Sequence, residues 1–159
     1  MSISNRVVDY LEQQHIYFDT VNHPASTSSL GTAIASSILP SRIAKAIILQ
    51  DHESRHLMAI LPANRKISMT KLQNLTDTSL QLVKENELME MFSDCQTGAI
   101  PALADAYHMN AIYDEALTQF DDVYLEAGDH KTLIHLSAEQ FAMLMAKTKH
   151  ARFSNEIVH

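Results

Sequence analysis

Cysteine, glycine, proline and basic residues are all scarce in this chain, and each scarcity excludes something. A single cysteine, Cys95, cannot form an internal disulfide, so the 159 residues must be held by an apolar core, which the 46% hydrophobic content can supply. Three glycines and four prolines leave no flexible linker, no low-complexity stretch and no internal repeat, and one domain is expected. No run approaches the ~20 apolar residues of a membrane span, and Met1 to Arg6 lack the basic and apolar regions of a signal peptide. A cytoplasmic protein with no membrane partner is the expectation. Twelve basic against nineteen acidic residues give a net charge of −7, which argues against a protein that neutralises a long stretch of nucleic acid, DNA included. It leaves room for one that grips a single nucleotide through one or two placed cations.

What is present has alternating helical and strand patterns. Ile3, Val7, Val8 and Leu11 share a helical face behind a Ser4 or Asn5 cap, and a strand is expected over 16–21. Ser26 to Ser29 offer caps for a second helix carrying Leu30, Ala33, Ile34 and Ile38 until Pro40 stops it. The apolar runs Ile43 to Leu49 and Leu57 to Leu61 have strand length and read as central strands covered on both faces. Ser68 can cap a helix through Leu75, Leu80 to Val83 reads as a strand, and Asn86 can cap a helix bearing Leu88, Met91 and Phe92. Strands are expected at 111–113, 123–125 and 133–136. Ser137 to Gln140 form a capping box for a last helix bearing Phe141 and Leu144. The domain is predicted to span 1–147, with a frayed tail at 148–159. Irregular alternation of strands and helices favours an α+β fold around a mixed, mostly antiparallel sheet.

Lys45 is the anomaly in this pattern. It sits in Ile43-Ala44-Lys45-Ala46-Ile47-Ile48-Leu49, and desolvating an ammonium costs several kcal/mol unless something anionic meets it. A phosphate or carboxylate of a ligand would serve. Downstream, Gly98 can adopt backbone conformations closed to other residues and Pro101 biases Ile100 to extended geometry, so Gly98-Ala99-Ile100 can turn successive N–H groups toward one oxygen. An ordinary loop accounts for the same spacing. His52-Glu53-Ser54-Arg55-His56 matches the H-E-x-x-H zinc signature by letter, but its position between two strands denies it the helix that would converge both imidazoles. No metal site is expected there. Cys95 could attack an ester as thiolate, yet the adjacent Asp94 disfavours that form, and a packing or pocket-lining cysteine is preferred. His130 follows a strand and a glycine turn that can aim it into a cleft. His23 and Thr27 precede the second helix, where capping explains the hydroxyl equally well.

Taken in order, His23-Pro24 with Thr27, Ala44-Lys45, Ala59 to Ala63, Phe92 to Cys95 with Gly98 to Pro101, Tyr113-Asp114, and Glu126 to His130 resemble the YbaK/aminoacyl-tRNA deacylase family. These are stand-alone relatives of the editing domain inserted in bacterial prolyl-tRNA synthetases. The resemblance covers nearly the whole chain. It implies a compact mixed fold that needs no cofactor and hydrolyses the ester joining a small wrong amino acid to the terminal adenosine of tRNA. By resemblance, Lys45 holds the phosphate or ribose of that adenosine. The backbone from Gly98 through Ala99 and Ile100 to Pro101 positions the ester carbonyl, and His23, Thr27, Asp94, Cys95 and His130 contact substrate. Water attacks with help from the substrate's 2′-hydroxyl. The implied partners are the acceptor end of a misacylated tRNA and an aminoacyl-tRNA synthetase. The chain departs from the family loop at Ala102 and Ala104, where a second proline and a glycine are usual. A catalytically weak binding module of the same fold, for an amino acid or aminoacyl-nucleotide, is the competing reading.

Overall fold

The computed structural model describes residues 3–26, 28–96 and 98–157. Among these residues ten strands and five α-helices follow one another as α1 (Asn5–Gln13), β1 (Asp19–Asn22), α2 (Ser29–Ser36), β2 (Ile43–Gln50), β3 (His56–Pro62), β4 (Arg65–Ile67), α3 (Met69–Thr76), β5 (Gln81–Leu82), α4 (Glu85–Met91), β6 (Asn110–Asp114), β7 (Asp122–Glu126), β8 (Thr132–Ser137), α5 (Ala138–Leu144), β9 (Lys149–Ala151) and β10 (Ser154–Glu156). Eight strands make one sheet in the order β1-β8-β7-β2-β3-β6-β9, with β5 attached to β2, while β4 and β10 pair separately. The sheet is mixed and mostly antiparallel: β1 with β8, β8 with β7, β2 with β3 and β2 with β5 pair antiparallel, while β2 runs parallel to β7, β3 to β6 and β6 to β9. This is the α+β architecture expected from the sequence.

Alternation along β2 explains how the layers form. Ala44 and Ile48 join the large core beneath α1 and α5. On the other face Ile43 packs with Ala33 of α2, and Leu49 packs with Leu72 of α3 and Phe153. Lys45 lies on this second face, between two separate apolar clusters rather than inside either. The caps are largely those the sequence advertises: the side chains of Ser28, Ser68 and Ser137 accept from Gly31, Lys71 and Gln140 N–H.

Two expectations are corrected. Helix α4 begins at Glu85 with Lys84 at its N-cap, so Asn86 is inside the helix and caps nothing. The end of the chain is not frayed over 149–156: β9 pairs with β6, β10 with β4, and Phe153 is fully buried between them. The physical cause is Asp114 at the end of β6. Its carboxylate accepts from Phe153 N–H (3.1 Å), Ser154 N–H (2.9 Å) and the Ser154 hydroxyl (2.6 Å), and so fastens a polar segment that has no apolar period of its own. Among the described residues, no helix is long and apolar enough to cross a membrane.

Candidate active site

The sheet is split along one edge of β2. Ile43 and Ala44 pair with β7, Leu49 and Gln50 pair with β5, and among the described residues no strand pairs with β2 on that side between them. Backbone groups alternate in direction along a strand, and the Ile48 carbonyl accepts from Val83 N–H at 3.1 Å on this side. The N–H and C=O of Ala46, two residues earlier, therefore point into the opening. Residues 45–47 are correspondingly the less buried middle of an otherwise buried strand.

Two cavities, each of about 300 Å³, open at this seam and share Ala46, Ile47, Gly98 and Ile100 as a common wall. The first is lined in addition by Lys45, Ala63 and the start of α2 at Ser28, Ser29 and Leu30. The Lys45 ammonium donates to the Ala63 carbonyl at 3.3 Å, and burial lowers its pKa from the ordinary lysine value. Among the described residues, no carboxylate pairs with the Lys45 ammonium. Among the described residues its one hydrogen bond is this long carbonyl contact, and a half-buried cation on the wall of an open cavity is a candidate to meet an anionic or strongly polar group.

The second cavity is apolar, walled by Val83, Leu88, Met89, Phe92 and Cys95, with Glu85 and Gln96 also lining it. Sequence analysis missed it. Leu88 and Phe92 are spaced like any core stripe of a helix, and only the seam in β2 turns that stripe into a wall.

Between the cavities runs the loop that the sequence singled out. Gly98 has φ +81°, a conformation that favours glycine, and both it and Ile100 face the first cavity. Ala99 does not: its side chain is buried and its N–H donates to the Gln96 carbonyl at 3.0 Å. The convergent amides expected from Gly98, Ala99 and Ile100 thus lose the middle donor to an internal turn. Pro101 is buried behind them, and Ala102 and Ala104 pack into the main core, so the departure from the family loop is filled by small apolar side chains.

Asp94 and Cys95 anchor this loop from behind. The Asp94 carboxylate accepts from the Ser4 hydroxyl, from Tyr107 (3.1 Å) and from the Cys95 thiol (3.6 Å). Burial pushes its pKa up, but the Ser4 and Tyr107 hydroxyls outweigh that and hold it below the usual carboxylate range. Burial likewise raises the Cys95 thiol to about 12, with Tyr107 partly offsetting and Asp94 adding to the rise. Cys95 is thus a protonated wall of the second cavity, and Asp94 lines neither cavity. The loop is tied to the β7–β8 turn by Gln96 N–H on the Gly128 carbonyl at 2.8 Å. At Gly128 a side-chain carbon would meet the Cys95 Sγ at 3.2 Å.

His23 and His130 both lie at that same turn, and neither lines either cavity. His23 N–H donates to the Lys131 carbonyl at 2.8 Å and its Nδ1 lies 2.7 Å from the Pro24 carbonyl. Its Nε2 is buried with no hydrogen bond among the described residues. His130 is buried at φ +57° beside Asp129, whose carboxylate accepts from the N–H groups of Lys131 and Thr132. Thr27 lies outside the described residues. Glu126, quoted in the sequence only as part of a motif, ends β7 below α2 with 1% exposure and no hydrogen bond to either carboxyl oxygen among the described residues. Burial raises its pKa to about 7, the nearby Thr32 hydroxyl offsetting only part and Asp129 adding to it. His52 and His56 stand at the β2–β3 hairpin, where Asp51 accepts from Glu53 and Arg55 N–H and pairs with the Arg55 guanidinium at 2.7 Å. No helix is there to bring the two imidazoles together.

Comparison with known proteins bears on the fold and the family. Solved structures similar over nearly the whole chain include a hypothetical protein, APE2540 (TM-score 0.82, 17% identity, covering 95% of this chain and 100% of that one). Another is a candidate trans-editing enzyme for prolyl tRNA synthetase (TM-score 0.80, 19% identity, 96% of each chain). A third is a candidate signal transduction protein from Marinobacter aquaeolei VT8, in which the match takes up only 31% of the longer chain (TM-score 0.78, 18% identity, 98% of this chain). At these identities the likeness shows the fold. No protein of curated function matches the sequence. The profile of the aminoacyl-tRNA editing domain matches residues 23–144, which span β2, the Gly98 loop, Glu126 and both cavities, and the chain therefore belongs to the aminoacyl-tRNA editing domain family.

Proposed function

We propose that this chain hydrolyses the ester of a misacylated tRNA in trans, releasing a small wrong amino acid. The observation that carries the reading is the desolvated Lys45 ammonium facing the Gly98 loop across an open cavity in a split sheet. The acceptor end of the tRNA is the partner, and a synthetase that makes the error is the upstream source of substrate. Lys45 binds the phosphate or ribose of the terminal adenosine. The N–H groups of Gly98 and Ile100 are the candidates to receive the ester carbonyl, now that Ala99 N–H is committed elsewhere. Water adds to the carbonyl carbon, the carbon–oxygen bond to the ribose breaks, and the ribose oxygen leaves with a proton. The substrate's own 2′-hydroxyl assists this transfer.

Such a reaction asks little of protein bases, because an activated ester needs mainly a positioned water and charge stabilisation typically worth ~3–4 kcal/mol per donor. Cys95, with its thiol held protonated, takes no part as a nucleophile. The test is single-turnover deacylation of labelled alanyl-, seryl-, threonyl-, cysteinyl- and prolyl-tRNAs by wild type and Lys45→Ala. Selective release that falls by about 100-fold or more in the variant is expected, with a thermal midpoint no lower than wild type, since the long contact to the Ala63 carbonyl offsets little of the ammonium's desolvation. No release from any tRNA, with binding of an aminoacyl-adenosine retained, would replace the hydrolase by the binding-module reading.

A further inference from the structure

Resting on the hydrolase reading above, we infer that a basic strip at the β9 edge of the sheet, formed by Lys71, Lys147 and Lys149, holds the phosphate backbone of the tRNA acceptor stem while the 3′ end reaches the seam in β2. Charge is segregated along this acidic chain. Residues 140–155 carry Lys147, Lys149, His150 and Arg152 and no carboxylate, and of the nineteen acidic residues only Glu156 follows them. The fold gives this segment a fixed place. Ile47, Ala59, Ile112 and Lys149 are successive register partners across β2, β3, β6 and β9, so they form one row with their side chains on one face. Ile47, at one end of the row, lines both cavities. Lys149, at the other end, stands three strand spacings away, about 14 Å.

An open groove runs along this edge, lined by Lys147 and Lys149 and by Leu75 of α3. Lys71 lies one turn before Leu75 on the same face of α3, and both side chains are exposed. Among the described residues, no carboxylate pairs with Lys71, Lys147 or Lys149. Of the acidic groups that border these elements, Glu115 is taken by His150 at 2.7 Å and Arg152 at 3.7 Å, and Asp77 at the C-cap of α3 pairs with none of the three lysines. The span suits an RNA end. The unpaired 3′ end of a tRNA has about four nucleotides and a stacked strand advances ~3.4 Å at each, so an ester held at the seam leaves the first paired phosphates about 14 Å away. Duplex RNA is gripped through phosphates and shape, which flexible lysines on a strand edge can follow without reading bases. About three such contacts keep the hold weak, in keeping with a net charge of −7. A lipid surface fits less well, because cations there act beside several apolar anchors, and the large apolar side chain exposed in this groove is Leu75.

The experiment is a salt series of uncharged tRNA binding to the full chain, read by fluorescence anisotropy, with wild type beside Lys147→Gln combined with Lys149→Gln. Losing two phosphate contacts is expected to weaken binding by about tenfold at low salt and to flatten the slope of log affinity against log salt by about 1.5–2. In single-turnover hydrolysis the variant is expected to need correspondingly more aminoacyl-tRNA to reach the wild-type maximal rate. It should cleave the same amino acid from aminoacyl-adenosine, which has no stem, as fast as wild type. Unchanged tRNA affinity and slope overturn the inference, leave the hydrolase standing and turn the strip toward an acidic protein surface instead. Cleavage of aminoacyl-adenosine that falls as far as cleavage of aminoacyl-tRNA also overturns it, because the lysines would then act through the fold. Absence of hydrolysis from every substrate, with the difference in tRNA binding intact, removes the hydrolase reading and supports the docking strip.

Discussion

Asp114 and Glu126 are carboxyl groups at the ends of two strands, each about 1% exposed, and they have been treated in opposite ways by the fold. Asp114 accepts from Phe153, Ser154 and Ala116 N–H and from the Ser154 hydroxyl. Glu126 has no such set of donors: among the described residues the Thr32 hydroxyl alone favours its charged form, and burial outweighs it and drives the group toward its neutral form. The first carboxylate closes the structure by fixing β9, β10 and Phe153. The second sits beside the split in the sheet, near Thr32 and Asp129, and burial there is a cost. The contrast separates the part of the molecule organised for stability from the part that tolerates instability near its candidate site.

Removing the closing carboxylate gives the largest effect. Asp114→Ala leaves buried N–H groups without an acceptor and releases Phe153, so a loss of about 3–5 kcal/mol is expected in denaturant unfolding. Increased hydrogen exchange should be concentrated in residues 149–156. A loss below about 1 kcal/mol would erase the contrast.

Neutralising the other carboxyl should act in the opposite direction and depend on pH. Below the unfolded value of 4.5 the group is protonated in both states, so Glu126→Gln changes little. Between 4.5 and about 7 the unfolded chain has released the proton while the folded chain still binds it, so wild-type stability falls as pH rises. Above about 7 the full cost is present. The variant is then expected to be more stable than wild type by about 3 kcal/mol, read as a pH series of chemical unfolding. A variant less stable at pH 8 would mean that Glu126 is charged and partnered after all.

The smallest effect tests the loop between the two regions. Cys95→Ala removes a thiol that is protonated and touches Asp94 and Tyr107, so turnover is expected to stay within about threefold of wild type. Stability should drop by about 1–2 kcal/mol. Complete loss of turnover with a folded protein would restore the nucleophile reading.

Lys45 and Gly98 were legible in the sequence because each breaks a local rule: a cation interrupts an apolar strand, and a lone glycine precedes a proline by three residues. The strands of the main sheet were legible for the converse reason, since β2 and β3 are continuous aliphatic runs. What stayed hidden depends on distant pairings. Ser4 meets Asp94 across ninety residues, and Asp114 orders Ser154 across forty, so neither anchor has a local signature. The apolar cavity was hidden too, because Leu88 and Phe92 obey the helical period whether they face a core or an opening. Asn86 misled because a cap-forming residue one position inside a helix looks the same as one at its start.

A strand with unclaimed backbone in its middle is normally an invitation to another strand, which is why open sheet edges are aggregation hazards. Here the gap in β2 is only as long as residues 45–47, bounded by β7 on one side and β5 on the other. A neighbouring chain cannot lie down in so short an interval, but a single small molecule can. The fold thus keeps an edge's appetite for hydrogen bonds while removing its promiscuity. New selectivities can be tried by altering α4 or the Gly98 loop, with the ladder between β2 and β3 left untouched.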